Sequence, residues 1–150
     1  VVVLNGLDAV ERAVGCELGV GSWHTIEQEA VDAFAEVTGD HQWIHVDIAR
    51  AAGGPFGGTI AHGYYTLSLL PALLADAYDL QGFAMKVNYG LDRVRFPSPV
   101  RVGTSVRARA TLASFETNAR GARIVIRTTV EIRSNETPGC VADTVTLLVA

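Results

Sequence analysis

The second half of the chain is built on alternation. Val106, Ala108, Ala110 and Leu112 take turns with Arg107, Arg109 and Thr111. Ile124, Ile126, Thr128, Val130 and Ile132 do the same with Arg123, Arg127, Glu131 and Arg133. A period of two sends successive side chains to opposite faces, so both segments read as half-buried strands with one wet face. Val141 to Val149 reads as a third strand. In the segment before them, Phe83, Met85, Val87 and Tyr89 share one parity while Val94 and Phe96 share the other. That slip of phase near Gly90 predicts a strand carrying a β-bulge. Asn118 to Gly121 and Asn135 to Gly139 supply turns between strands.

The first half has a different period. Leu7 to Val14 reads as a short helix stopped by Gly15, followed by a brief strand around Leu18 to His24. Thr25 with Gln28 three positions later matches a capping box. The helix it would open carries Ala30, Val31, Phe34, Ala35 and Val37 on one side. Gly39 is placed to end that helix in the left-handed conformation, which sets Asp40 at a defined turn. Asp47 to Ala52 suits one helical turn, and Gly53 to Gly58 forms a glycine-rich loop. Ala61 to Leu80 then reads as a long helix, apolar on nearly every side through Tyr64, Leu67, Leu70, Leu73, Leu74 and Ala77, and bent at Pro71. A helix without a wet face has to be covered. The expected architecture is therefore α+β, a single domain over 1–150 in which an antiparallel sheet wraps a long central helix.

Composition narrows the partners. The chain has 150 residues, 49% of them hydrophobic and 19% charged, enough apolar material for a proper core and no segment of disordered character. The net charge of −4 gives no electrostatic footprint for nucleic acid. The longest uncharged stretch in the middle of the chain, Ala51 to Ala75, holds glycines, two prolines and polar residues, so no membrane span is expected. Val1 to Leu4 lacks the basic start and the long apolar run of a signal peptide. Cys16 and Cys140 stand far apart without metal-ligand spacing; one disulfide is open to them, but buried free thiols in a reducing, cytoplasmic compartment are the expectation. Met85 is the only methionine, so the chain is expected to begin after its natural start.

The candidate chemistry lies in the first half. Asp40 and His45 place a carboxylate and an imidazole five positions apart, directly after a helix stop. Ala61-His62-Gly63 follows at the mouth of the central helix, where backbone N–H groups lack partners within the helix. Taken singly, Asp40 also suits a plain turn residue, His45 a satisfied buried histidine, and Gly63 a packing glycine. His41 and His45 stand four apart and would form a metal pair on a helix, but no third ligand accompanies them, so no metal is expected.

Together these residues resemble a known family. Thr38-Gly39-Asp40-His41-Gln42-Trp43-Ile44-His45-Val46-Asp47 is similar to the signature of MaoC-like dehydratases, the R-specific enoyl-CoA hydratases, with Gln42-Trp43 where that family usually has Asn-Pro. Gly57-Gly58-Thr59-Ile60-Ala61-His62-Gly63 resembles its second block, and Arg95-Phe96-Pro97 with Pro99-Val100 and Gly103 its third. The resemblance spans about Thr25 to Val149. It implies a hot-dog fold, usually dimeric, and reversible hydration of a trans-2-enoyl-CoA to the (3R)-3-hydroxyacyl-CoA. Asp40 and His45 would activate the water, with the choice of acid and base open between them. The Gly63 amide would meet the thioester oxygen, and His62 and Thr59 would shape the entrance. Coenzyme A, or an acyl carrier protein, would enter as part of the substrate, and no separate cofactor is required. Two competing expectations are a hot-dog thioesterase, which would release a free thiol, and a non-catalytic acyl-thioester-binding subunit, which would bind without turnover. A homodimer paired along Phe83 to Tyr89 is expected as well.

Overall fold

Short local elements fill the first half of the chain and long strands the second, as a computed structural model of residues 1–150 describes them. Strand β1 (Val2–Asn5) and helix α1 (Leu7–Arg12) come first, then β2 (Glu17–Val20) and β3 (His24–Thr25). Four helices follow: α2 (Gln28–Thr38), α3 (Trp43–Val46), α4 (Ile48–Ala52) and α5 (Gly63–Ser68). Helix α6 (Leu70–Leu74) and strand β4 (Tyr78–Gln81) lead into the long strands β5 (Met85–Arg95), β6 (Ser105–Asn118), β7 (Gly121–Ile132) and β8 (Cys140–Val149).

The alternating segments form the expected antiparallel sheet, in the order β2-β6-β7-β8-β5, with β3 also paired to β6. One face carries Val106, Ala108, Ala110, Leu112, Ile124 and Val130, all essentially free of solvent contact, and packs onto the helices. The other face carries charge in register. Arg107 lies opposite Glu131 and Arg127 opposite Asp143, and the pairs close at 2.7 Å and 2.9 Å. Ion pairs that remain in partial contact with solvent add little stability, so the sheet is held by its apolar face. The bulge foreseen near Gly90 is present, with shifts of register between Asn88 and Gly90 and between Leu91 and Arg93. The antiparallel sheet around helical segments is the hot-dog arrangement that the resemblance implied.

Three local expectations need correction. The central helix is not one rod from Ala61 to Leu80. It runs as α5 and α6, joined at Leu69, with Pro71 in the first turn of α6. Proline lacks an N–H and fits a first helical turn far better than a helix interior, so the chain restarts its helix there. Beyond Leu74 the chain turns, and Tyr78–Gln81 becomes a strand parallel to Val2–Asn5. The capping box is absent too. Glu27 is the N-cap of α2, without a side-chain bond, while the Thr25 hydroxyl lies 3.2 Å from that of Ser105 across the sheet. Of the two thiols, both free, only Cys140 is buried; Cys16 is exposed. No helix is long and apolar enough to cross a membrane.

Candidate active site

Helix α2 ends as the sequence predicts, with Gly39 at φ 78°. Only a residue without Cβ takes that conformation at no steric cost. The chain turns there and delivers Asp40 at the surface, where its carboxylate accepts a long bond, 3.3 Å, from the Gln42 amide. Gln42 then caps α3, a single turn that puts His45 on its inner side, only 6% exposed.

Two ties hold that turn. The Ile60 amide donates to the Ile44 carbonyl at 3.0 Å, and the Ile60 carbonyl lies 2.7 Å from His45 Nδ1. A carbonyl only accepts, so Nδ1 carries the proton and the lone pair of His45 sits on Nε2. Gln28 supplies the second tie. Its amide nitrogen donates to the His45 carbonyl at 2.8 Å, and its oxygen accepts from the Thr59 hydroxyl at 2.6 Å. Thr59 is therefore a strut between α2 and the loop, its hydroxyl already spent.

His62 completes the cluster. It is 3% exposed and stands at the N-cap of α5. Its Nε2 lies 3.0 Å from the Asp40 carbonyl, which assigns the proton to Nε2 for the same reason. Its Nδ1 is buried without a partner. The ring stacks on His45 with centroids 3.8 Å apart and planes 24° apart. Ligating atoms of Asp40, His45 and His62 all lie within 4.8 Å of one another. Nearly parallel stacked rings do not aim their in-plane lone pairs at a common point, so the cluster suits one water or a moving proton better than a chelated metal. His41, by contrast, stays outside, exposed and 3.7 Å from Glu36.

The surroundings set the basicity of His45. Burial, the largest influence, pushes its pKa below the usual histidine value. The bond to the Ile60 carbonyl works against that, the neighbouring His62 adds to it, and the Asp40 carboxylate opposes it again. The net direction is down, which keeps the imidazole neutral and its lone pair free at neutral pH.

Gly63 begins α5, where the first N–H groups have no acceptor within the helix. Packing gives it a second reason to be glycine: a Cβ there would lie 2.9 Å from Cε2 of Phe96. From Tyr64 onward a cavity of about 830 Å³ runs between the helices and the sheet. Asp40, His45 and His62 do not line it; Tyr64, next in chain to Gly63, does.

The structure thus gathers Asp40, His45 and His62, puts Gly63 at the adjoining helix start, and assigns Thr59 to support. The sequence reading missed Gln28 as the clamp on His45. A signal was present: Gln28 stands three positions before Val31 and seven before Ala35, the two buried residues of α2, so it is a polar residue on the buried stripe.

The chain is similar to known proteins over most of its length. The profile described as MaoC like domain matches residues 10–135. The 3-hydroxyacyl-thioester dehydratase Z of Mycobacterium tuberculosis is 50% identical over 139 residues, covering 92% of each chain. Among solved structures, a monoamine oxidase regulatory protein from Archaeoglobus fulgius superposes with a TM-score of 0.80 at 21% identity, over 99% of this chain and 98% of that one. An (R)-hydratase from A. caviae involved in PHA biosynthesis superposes at 0.73 with 24% identity, over 90% of this chain and 96% of that one. At such identities the two structures speak for the fold.

Proposed function

This chain belongs to the MaoC-like dehydratase family, and from that premise we propose that it is a (3R)-specific enoyl-thioester hydratase. It adds water reversibly to a trans-2-enoyl-CoA or the matching acyl-carrier-protein thioester. The observation that carries the reading is the pairing of an Asp40 carboxylate with a His45 whose tautomer leaves Nε2 free.

His45 Nε2 takes one proton from a water held between the two side chains, while Asp40 accepts a hydrogen bond from the other. The water oxygen bonds to C3, and the C2–C3 π pair moves toward the thioester carbonyl, whose oxygen gains negative charge. The Gly63 amide donates to that oxygen. The imidazolium then returns its proton to C2, so one water has been added and both side chains are restored. A positioned base contributes about 10²–10⁴ in rate, and an oxyanion donor about 10²–10³. The chemistry calls on no metal or redox cofactor. The acyl tail extends from Gly63 along α5 into the cavity that starts at Tyr64.

The same enzyme is expected to work as a homodimer. Strand β5 has a partner, β8, on one side only. Along it Met85, Tyr89 and Leu91 are exposed, Tyr89 to 64%. A long apolar edge is a template for pairing, and a second β5 around a two-fold axis satisfies it without open-ended growth.

The direct test follows the conjugated thioester absorbance of crotonyl-CoA on mixing with the protein, with chiral analysis of the product. Loss of the signal and an R alcohol are expected. Asp40→Asn and His45→Gln should each lower turnover at least ~100-fold, with the fold intact by circular dichroism. Near-normal rates in either variant would refute the roles of Asp40 and His45, and release of free thiol would point to a thioesterase.

A further inference from the structure

The sheet wall of the large cavity has the wrong chemistry for a plain hydrocarbon. On β7 the inward set runs Ala122, Ile124, Ile126, Thr128, Val130 and Ile132, so a hydroxyl stands where the pattern calls for a methyl. On β8, Thr144 and Thr146 hold the inward positions between Ala142 and Leu148, opposite Ile126 and Ile124. Asn88 pairs with Thr146 from β5. All three threonines and Asn88 line the cavity, facing Leu67, Leu70, Pro71 and Leu74 on the helical wall.

The hydroxyls differ in state. Thr144 Oγ1 donates to the Ile126 carbonyl at 3.2 Å. Thr128 is only 1% exposed, and its Oγ1 has no hydrogen-bond partner. A buried hydroxyl without a partner is unfavourable, whereas valine has the same shape and would suit this apolar strand face at no such cost. A hydrogen-bonding group entering the cavity that Thr128 lines would supply the missing partner.

Resting on the hydratase reading, we propose that the cavity selects acyl tails bearing a hydrogen-bonding oxygen, a hydroxyl or a carbonyl, and that Thr128 is the specificity-determining residue. An alkyl tail fills the helical side but leaves Thr128 unpaired. A tail with an oxygen at the right depth pairs with Thr128 and keeps its carbons against Leu70 and Leu74. Thr146 and Asn88 give the polar side a continuous lining toward the β5 edge.

The test is a set of trans-2-enoyl-CoA esters matched in chain length, with and without a single hydroxyl or keto oxygen moved stepwise along the tail. For the wild type, kcat/KM should favour the best-placed oxygenated member over its alkyl match by about 3–10-fold, the reach of one neutral hydrogen bond. Thr128→Val, which keeps the shape, should bring the ratio to about one, and Thr128→Ser should keep the preference. Equilibrium binding of the saturated acyl-CoA pair should repeat the ratios. Equal use of both classes by the wild type, or a preference that survives in Thr128→Val, overturns the inference and leaves the hydratase reading standing. Absence of turnover on every ester overturns both.

Discussion

Gly63→Ala separates catalysis from packing at the helix start, because the two make different demands on the same atom. The added Cβ would lie 2.9, 3.0 and 3.1 Å from Cε2, Cδ2 and Cζ of Phe96. Those contacts are too short, but the ring is 43% exposed and follows directly on β5, so it can swing toward solvent. Overpacking inside a close-packed core costs about 1–3 kcal/mol, and a ring half in water sits at the low end. Alanine in a helix recovers roughly 0.5–1 kcal/mol relative to glycine. Stability should therefore change by no more than about 1 kcal/mol, a shift in Tm of about 2–4 °C. The chemical effect is larger. If the thioester oxygen must reach the Gly63 amide, a methyl beside it removes an interaction worth about 2.7–4 kcal/mol, or ~10²–10³ in kcat. Calorimetry and crotonyl-CoA turnover measure the two quantities on one sample. Phe96→Ala added to Gly63→Ala removes the clash and should restore stability without restoring rate. A rate within about threefold of wild type in Gly63→Ala, or recovered in the double variant, would show that this glycine serves packing alone.

The other expectations concern support, charge and assembly. Gln28→Ala removes the bonds of 2.8 Å and 2.6 Å that tie His45 and Thr59 to α2; it should cost about 1–3 kcal/mol in denaturant unfolding and lower kcat, and an unchanged curve with unchanged rate would remove Gln28 from the site. The acid limb of kcat/KM should fall below the ordinary histidine value of 6.5, since burial pushes His45 down and the groups facing it, Asp40, His62 and the Ile60 carbonyl, do not reverse that direction. The same depressed pKa makes His45 a source of stability that is present above the ordinary histidine range and lost as pH falls through the folded value, so a limb above 6.5, or an unfolding midpoint that rises on acidification through that window, would contradict it. Val87→Lys puts a charge on the β5 edge and should shift sedimentation from dimer to monomer, whereas a wild type that is monomeric and fully active would rule out the edge pairing.

What the chain discloses in advance follows the reach of each signal. The long strands were legible because alternation is local: Val106 to Leu112 shows its faces without reference to a partner. The bulge near Gly90 was legible for the same reason. Strand β4 was not, because Tyr78 to Gln81 continues an apolar stretch and becomes a strand only by meeting Val2–Asn5 from the far end of the chain. Gln28 misled because Thr25-x-x-Gln28 imitates a capping box, while the Gln28 side chain bonds to His45, 17 positions on, and Thr59, 31 positions on. Asp40, His45 and Gly63 could be named as candidates because they form a motif. The tie from His62 to the Asp40 carbonyl spans 22 positions and has no local signature.

The two stacked imidazoles explain why the site needs such long-range ties. Each ring is fixed by one backbone carbonyl, His45 by Ile60 through Nδ1 and His62 by Asp40 through Nε2. In the neutral form of each ring the lone pair therefore lies on Nε2 of His45 and on Nδ1 of His62. A proton placed on His45 meets His62 at 3.8 Å in a buried setting, which weakens the imidazolium, while the Asp40 carboxylate strengthens it. Under the proposed hydration mechanism, a base that takes a proton from water and soon returns it to carbon needs that balance, since one held too firmly would stop after the first step. His62 then contributes twice without touching a reacting atom. It anchors the backbone that carries Asp40, and its like charge works against a proton on His45. A His62→Phe change would keep the stack while losing the carbonyl tie, and His62→Gln the reverse. Both remove the like charge that opposes a proton on His45, so both should move the acid limb of the pH profile upward, and only the first should also lower kcat through a displaced Asp40.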